Sequence, residues 1–265
     1  MTLTTAQSLP TKTLDTQALE DKVKDMYRRV ALNPEGDFHF EMGREMAARL
    51  GYEGADLDRV PQESIASFAG VGYHFGLADL QAGERVVDLG SGSGLDTFVA
   101  ALHVGATGRV TGVDMTDAQR QKAERLGARD GFTNVDYRQG YIEELPFASG
   151  SLDCVVSNGV INLVPDKGAV FSEAARVLAP GGRIALSDIV TTEQLPEGIV
   201  CDATLWAACI GGAMQREAYQ EAITAAGFEI IAIQPNPEYQ FISDNAQGAA
   251  SRFGVQSISV LARKR

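Results

Sequence analysis

The residues best suited to chemistry form a short stretch in which one carboxylate precedes three glycines. Asp88 lies in an apolar run typical of a buried strand, and Gly90, Gly92 and Gly94 follow it at alternate positions, just before a segment that is typical of a helix and begins at Leu95. Glycines at a strand-to-helix turn permit a positive φ and let a ligand approach the backbone. The first N–H groups of the helix point into the same space, with the positive end of its dipole behind them. This pattern predicts a nucleotide-cofactor site of an open α/β fold.

The spacing of these glycines distinguishes between two classes of cofactor. A dinucleotide-binding turn needs a third glycine three places after the second, and counting from Gly92 puts Leu95 there. Asp88 stands two residues before the first glycine, a position that suits a cofactor with an ammonium group and no pyrophosphate. The stretch resembles the first motif of class I S-adenosylmethionine methyltransferases, which implies S-adenosylmethionine as the cofactor and argues against an NAD-dependent oxidoreductase.

Three further places along the chain are expected to contact this cofactor. Asp114 follows the second predicted strand, about twenty residues after the glycine turn, where an acid can accept hydrogen bonds from both ribose hydroxyls. Tyr141 stands where the resembling enzymes usually have the aspartate that meets adenine, so Glu143 or backbone groups are expected to meet the adenine amine. Asn158 ends the fourth predicted strand; a helix-capping aspartate and a turn asparagine are the structural alternatives for Asp114 and Asn158. The predicted cofactor-binding residues are Asp88, Gly90, Ser91, Gly92, Gly94, Asp114, Met115, Tyr141, Ile142, Glu143 and Asn158.

Composition limits the classes of partner. The 265 residues carry a net charge of −12 and are 45% apolar, so they suffice for one large domain or one domain with an extension. The basic cluster Arg263-Lys264-Arg265 is interpreted as a solvated tail, which disfavours a nucleic-acid substrate and favours a small-molecule acceptor. The sequence shows no membrane-spanning run, no signal-peptide pattern and no CxxC pair. We therefore predict a cytoplasmic protein with reduced thiols and no metal; the oligomeric state is not predicted.

The order of the elements predicts the architecture. Helices come first, and strands then alternate with helices, which favours a parallel sheet with right-handed crossovers. We expect a Rossmann-like class I methyltransferase fold: a mostly parallel seven-stranded sheet, helices on both faces and an N-terminal helical lid. The expected parts are a mobile N-terminus (1–17), the helical lid (18–80) and the S-adenosylmethionine-binding domain (81–265). The predicted strands are 86–89, 109–113, 134–138, 152–157, 183–189, 228–234 and 255–262. The predicted helices are 18–32, 39–50, 62–68, 95–102, 117–128, 167–178, 199–210 and 216–226.

Longer stretches are similar to one subfamily, the arsenite S-adenosylmethionine methyltransferases. They are GVDM at 112–115, GYIEE at 140–144, SNGVINLVPDK at 157–167, LWAACIGGA at 205–213 and FGVQSISV at 253–260. The resemblance extends from about residue 65 to the C-terminus. It implies a class I fold, S-adenosylmethionine as the methyl donor and a soft trivalent arsenic acceptor held by cysteine thiolates.

The cysteines depart from that subfamily. One metalloid-binding cysteine of the subfamily lies in the loop that here reads AGVGY (69–73), and a second stands where this chain has Gly159. Cys209 matches the third. Cys201 lies eight residues earlier, roughly 12 Å along a helix at 1.5 Å per residue, and Cys154 is expected in the core. Because soft As(III) needs several thiolates for tight binding, one ligand is a poor cage.

Three hypotheses follow from this comparison. In the first, the chain methylates a different small molecule in a pocket lined by Tyr73, His74, Gly159, Trp206 and Cys209, with Tyr27 closing over the cofactor. In the second, it methylates arsenic already carried by a thiol, with Cys209 as the protein ligand. In the third, it binds the cofactor without catalysis, as a regulatory module. Cys209 and His74 are the candidate catalytic residues, and a packing histidine is the alternative for His74.

Overall fold

The strands form one sheet with the predicted connectivity. The structure is a computed structural model that describes residues 14–200, 206, 210–242 and 244–265. The strands are β1 (Arg85–Leu89), β2 (Arg109–Asp114), β3 (Val135–Gln139), β4 (Leu152–Asn158), β5 (Leu178–Thr191), β6 (Met214–Gln215), β7 (Phe228–Pro235) and β8 (Gln256–Lys264). They are ordered β3-β2-β1-β4-β5-β8-β7, with the short β6 beside β5. Strands β1 to β5 pair in parallel and β8 runs antiparallel to both of its neighbours. The predicted fold class is confirmed.

Helices cover both faces and the carboxyl edge of this sheet. In chain order they are α1 (Thr16–Leu32), α2 (Arg44–Leu50), α3 (Gly54–Leu57), α4 (Gln62–Ala66), α5 (Phe75–Ala78), α6 (Leu95–Val104), α7 (Asp117–Arg129), α8 (Lys167–Val177), α9 (Glu197–Val200), α10 (Arg216–Ala225) and α11 (Asp244–Phe253). A 3-10 helix (Ile161–Leu163) follows β4. None of the helices in the described part of the chain combines the length and apolarity that crossing a bilayer would require.

Three apolar clusters hold these layers together. One packs α8 and α10 against the sheet through Phe171 and Tyr219. The second packs α2 to α6 against the opposite face, around Phe75 and Phe98. The third lies over the carboxyl edge, where α1 meets segments from the second half of the chain, including Trp206. The helices before β1 therefore have two roles: α2 to α5 complete the packing of the sheet, and α1 covers its carboxyl edge.

Several predicted boundaries differ from those in the structure. The helix expected at 39–50 begins at Arg44, because Phe40 stacks on Tyr27 and Gly43 has a φ of 93°. Residues 179–182, which separate the predicted helix from the predicted strand, form a bulge within β5, where the pair Leu152–Leu178 is followed by Cys154–Arg183. The predictions did not include α3, α5, α11 and β6, which are short or lie in segments without clear periodicity.

Two expectations fall wholly or partly outside the described residues. Of the N-terminus expected to be mobile (1–17), residues 1–13 are not described, whereas Thr16 and Gln17 belong to α1 and Asp15 caps it by accepting a hydrogen bond from Ala18 N. Of the helix expected at 199–210, the structure describes residues 199–200, 206 and 210. Cys201 and Cys209 therefore lie outside the described residues.

His74 lies in the core at the start of α5. Its ring is fully buried, 4.4 Å from the ring of Phe75, and neither ring nitrogen has a hydrogen-bond partner among the described residues. Burial lowers the pKa of His74 to about 3, so the imidazole is neutral. The structure thus shows a packing histidine, the alternative to the catalytic role.

We expect this histidine to make folding stability dependent on pH. Its pKa is lower in the folded state than in the unfolded state, so the unfolded chain takes up the proton first, and stability falls as the pH drops from about 6.5 towards 3. Between pH 7 and pH 5, wild type should lose about 2 kcal/mol more unfolding free energy than His74→Leu, measured by urea denaturation. Ile231→Ala, which shortens an exposed apolar side chain on β7 and retains all three histidines, should keep the wild-type slope. If the unfolding free energies of wild type and His74→Leu change equally with pH, His74 is not the buried neutral histidine assigned here.

Candidate active site

A cavity of about 380 Å³ opens at the carboxyl ends of β1, β2 and β4. This volume lies within the range typical of small-molecule sites, and the position is the one where open α/β sheets bind their ligands. The turn between β1 and α6 forms the floor, α1 forms one wall, and residues 140–143 and 163–166 form another. The loop 68–70 and the end of β4 complete the lining.

The glycine turn has the conformation that its sequence predicts. Gly90, Gly92 and Gly94 have φ values of 68°, 53° and 94°, in the region that favours glycine. A Cβ atom at Gly90 would lie 2.6 Å from Val160 Cγ2, so the turn also lacks room for a side chain at this position. Gly90 and Gly92 line the cavity, whereas Gly94 lies behind it at the start of α6.

Two buried carboxylates face the cavity from this turn. Asp88 accepts a hydrogen bond from Thr97 Oγ1 at 2.7 Å, and Asp96 accepts from Asn158 Nδ2 at 3.0 Å and from the hydroxyl of Tyr52. Burial raises the pKa of Asp96 to about 6. Burial and the neighbouring Asp96 carboxylate raise the pKa of Asp88 well above its usual value. Neither acid has a lysine or arginine partner within the described part of the chain, so this region of the cavity suits a cationic ligand group.

Asp114 lies at the end of β2 and also faces the cavity. Its Oδ2 accepts from Gly92 N at 2.9 Å and its Oδ1 accepts from Thr116 N at 2.7 Å. Burial raises the pKa of this carboxyl group. The carboxylate therefore organises the local turns and borders the cavity, whereas the N-cap of α7 is Thr116, so Asp114 is not the helix-capping residue that was its structural alternative.

The segment after β3 contacts both the cavity and α1. Tyr141, Ile142 and Glu143 all line the cavity, and burial raises the pKa of Glu143. The Tyr141 hydroxyl donates to Glu20 Oε1 at 2.7 Å and accepts from Lys24 Nζ at 3.0 Å. The residue at the usual aspartate position thus ties α1 to the wall of the cavity.

The other predicted pocket residues separate into two groups. Tyr27 and Gly159 line the cavity. Tyr73, His74 and Trp206 do not: Tyr73 packs on the ring of Tyr52 at 5.0 Å, and the Trp206 indole lies 5.1 Å from Lys167 Nζ. Cys209 lies outside the described residues.

The remaining cysteine, Cys154, is fully buried in β4, and burial raises its pKa to about 12. It is a core residue, as its position within a predicted strand indicated. No group of three potential metal ligands occurs in the described part of the chain.

Sequence reasoning missed two important members of the site. Asp96 was detectable, because an acid in the first turn of a helix after a glycine run is well placed for a ligand. Tyr52 gave no local signal, since only the folded chain brings it to Asp96. Other residues that the prediction did not include, from α1, α4 and the segment after the 3-10 helix, are Leu19, Glu20, Val23, Ser64, Ser67, Val164 and Asp166.

Comparison with known proteins identifies the family. Residues 80–227, more than half of the chain, match the family model described as a methyltransferase domain. The arsenite methyltransferase of Halobacterium salinarum is 41% identical over 201 residues, which cover 74% of this chain and 50% of that protein. The human arsenite methyltransferase is 48% identical over 138 residues, which cover 49% of this chain and 37% of that protein. The chain spans about half the length, or less, of these curated relatives.

Solved structures agree with this assignment. The structure of an arsenic (III) S-adenosylmethionine methyltransferase from Chlamydomonas reinhardtii matches with a TM-score of 0.63 and 32% identity, covering 84% of this chain and 74% of that one. Geranyl diphosphate C-methyltransferase from Streptomyces coelicolor, solved with S-adenosyl-L-homocysteine, matches with a TM-score of 0.65. It is 19% identical and covers 92% of this chain and 98% of that one, so this likeness shows the fold alone. The chain therefore belongs to the methyltransferase-domain family, has the fold of class I S-adenosylmethionine methyltransferases and is related to the arsenite methyltransferases.

Proposed function

We propose that this protein transfers a methyl group from S-adenosylmethionine to an uncharged small-molecule acceptor other than arsenite. The proposal depends on how charge is distributed in the cavity. Asp88, Asp96 and Asp114 lie at the glycine turn and the adjoining strand end, whereas the part of the lining around Phe68 and Leu163 is apolar. No lysine, arginine or histidine of the described chain lines it.

The residues present fit the cofactor. The carboxylates of Asp88 and Asp96 are buried without a cationic partner, as expected where an ammonium group binds. Ser91 Oγ is buried, lines the cavity and has no hydrogen-bond partner among the described residues. Asp114 would hold the ribose hydroxyls, and Ile142 and Glu143 would border the adenine. The residues assigned to direct contact with the cofactor are Asp88, Gly90, Ser91, Gly92, Asp96, Asp114, Met115, Tyr141, Ile142 and Glu143. Asn158, which was predicted with them, also lines the cavity, and its amide bonds Asp96.

The acceptor side of the cavity is built from apolar groups. Tyr27 of α1, Phe68, Val160 and Leu163 line it, together with the acceptor loop, by which we mean residues 69–72. Ala69 and Gly70 of this loop reach the cavity. A phosphate or carboxylate placed here would meet no lysine or arginine from the described residues and would face the acids of the glycine turn, which disfavours anionic acceptors.

Positioning is the main contribution of these residues to the reaction. When bound, S-adenosylmethionine supplies an electrophilic methyl group for in-line displacement. The apolar wall and α1 exclude water and hold the acceptor in near-attack geometry, which accounts for much of the catalysis of such transfers. No histidine of the described chain lines the cavity, whereas the carboxylates of Glu20, Glu143 and Asp166 do, and we assign the role of a general base to none of them.

Methylation of thiol-bound arsenic with Cys209 as the ligand is the alternative function. It is favoured by the relatives described above, which are arsenite methyltransferases. The packing around Gly159 argues against it. This residue has a φ of 68°, and a Cβ atom there would lie 3.1 Å from Val71 Cγ1, so the chain is packed for glycine where the subfamily has a cysteine.

The acids of the site provide the first prediction for this function. Asp88→Ala and Asp114→Ala should each abolish measurable S-adenosylmethionine binding in isothermal titration calorimetry, because each removes a charged or hydrogen-bonding partner from a buried site. His103→Gln, a control away from the cavity, should bind like wild type. Wild-type affinity in either folded alanine variant would contradict the assigned site.

Cofactor affinity should also depend on pH. The ammonium group pairs with ionised Asp96, whose folded-state pKa is raised to about 6, so affinity is full above that pH and falls as the carboxyl group is protonated below it. The Kd for S-adenosylmethionine should be about tenfold higher at pH 5 than at pH 7. The raised pKa of Asp88 acts in the same direction. Asp96→Asn should weaken binding at pH 7 and reduce the change in Kd between pH 7 and pH 5. An unchanged pH dependence of Kd would exclude Asp96 as the titrating group.

Arsenite turnover separates the proposal from its alternative. With S-adenosylmethionine and excess glutathione, purified protein should yield no methylated arsenic by chromatography, while calorimetry shows cofactor binding and neutral acceptors yield S-adenosylhomocysteine. Methylated arsenic that disappears in Cys209→Ser would establish the alternative. Cofactor binding without turnover of any acceptor would instead indicate a regulatory module.

A further inference from the structure

The side chain of Asn158 joins the acids of the site to the acceptor loop. Its Oδ1 accepts from Val71 N at 2.8 Å. Its Nδ2 lies 3.0 Å from Gly72 O, 3.0 Å from Asp96 Oδ2 and 3.1 Å from the Tyr52 hydroxyl, so these three acceptors share its two hydrogens. The amide of Asn158 therefore contacts a carboxylate of the cavity floor on one side and two consecutive residues of the acceptor loop on the other.

The partners of this amide determine its orientation. Val71 N–H can only donate and Gly72 O can only accept, so the oxygen and the nitrogen of Asn158 cannot exchange places without losing both bonds. An ionised Asp96 also only accepts, which agrees with the same orientation. The Asp96 carboxylate and the acceptor loop thus favour the same orientation of the Asn158 amide.

The acceptor loop has a second attachment that does not involve the acids. Ser257 Oγ donates to Val71 O at 2.6 Å and accepts from Asn236 Nδ2 at 2.8 Å. A Cβ atom at Gly72 would lie 2.2 Å from Asn236 Nδ2, so the loop fits closely against this neighbour. Ser257 and Asn158 therefore bond the same residue of the loop, and of the two contacts only that of Asn158 continues to Asp96.

We propose that Asn158 is a positioning residue that couples cofactor binding at Asp96 to the placement of the acceptor loop. The inference rests on the proposed function, because it takes Asp96 as a partner of the cofactor's ammonium group. A cation at Asp96 keeps the carboxylate ionised and fixed, so the amide is held in the orientation that bonds Val71 and Gly72. The coupling is reciprocal, so an ordered loop also raises cofactor affinity. Asn158 thereby acts on the acceptor through the loop.

Hydrogen exchange at the Val71 amide tests this coupling directly. Its N–H bonds to Asn158 Oδ1, so its exchange rate reports the state of the loop. In wild type, saturating S-adenosylmethionine should slow exchange at Val71 by at least about fivefold, measured by NMR at pH 7. In Asn158→Ala the same addition should change the rate by less than about twofold, even at saturation confirmed by calorimetry.

The matched control is Ser257→Ala, which removes the other side-chain bond to the same residue. It should speed exchange of the Val71 amide both with and without cofactor. The ratio of the exchange rate without cofactor to the rate with cofactor should stay as in wild type. If Asn158→Ala fails to fold, Asn158→Asp is the substitute. It keeps the size of the side chain and an acceptor for Val71 N–H but has no amide donor for Asp96, so the cofactor should change its Val71 exchange rate by less than about twofold.

The outcomes separate this inference from the proposed function. Absence of cofactor binding by wild type in calorimetry would overturn both. Cofactor binding without slower exchange at Val71, or a wild-type ratio in Asn158→Ala, would overturn the coupling and leave the proposed function standing. If the effect of the cofactor on Val71 exchange is lost equally in Ser257→Ala, the coupling is also overturned, because any loosening of the loop would then be enough to abolish the effect.

Discussion

The buried charge of Asp88 and Asp96 is the constraint on which the site depends. Two carboxylates in a poorly solvated cavity raise each other's tendency to hold a proton, and the described chain offers them no cation. The fold tolerates this because hydrogen bonds from Thr97, Tyr52 and Asn158 stabilise the ionised forms in part. A ligand with an ammonium group relieves the remaining penalty. The same acids make the cavity unfavourable for anions.

Much of the site was predictable because its residues are local in sequence. The acid and glycines of the first motif lie within one strand-to-helix turn, so their spacing alone indicates which groups meet. The alternation of strands and helices likewise predicts the sheet, since a right-handed crossover leaves few other arrangements. Asp114 and the segment after β3 follow from their positions at strand ends.

The residues that sequence reasoning missed are those brought in from a distance. Tyr52 reaches Asp96 only because α2 to α5 pack on α6, and no local pattern reports that packing. His74 was misleading for the opposite reason: a titratable residue near the expected cavity was a candidate base, but its ring turns into the core beside Phe75. Tyr141 shows a third case, in which a substitution at a motif position gives the residue a new partner on α1.

The placement of α1 has a consequence for how the shape of the cavity changes. Thr16, Leu19, Glu20, Val23 and Tyr27 face the cavity from this helix at the three- and four-residue intervals of one helical face. None of these five positions belongs to the glycine turn or to the strand ends. Evolution can therefore alter the shape of one part of the cavity at a time by exchanging a single residue of α1. The shape of this wall can therefore diverge while the sequence of the glycine turn stays the same.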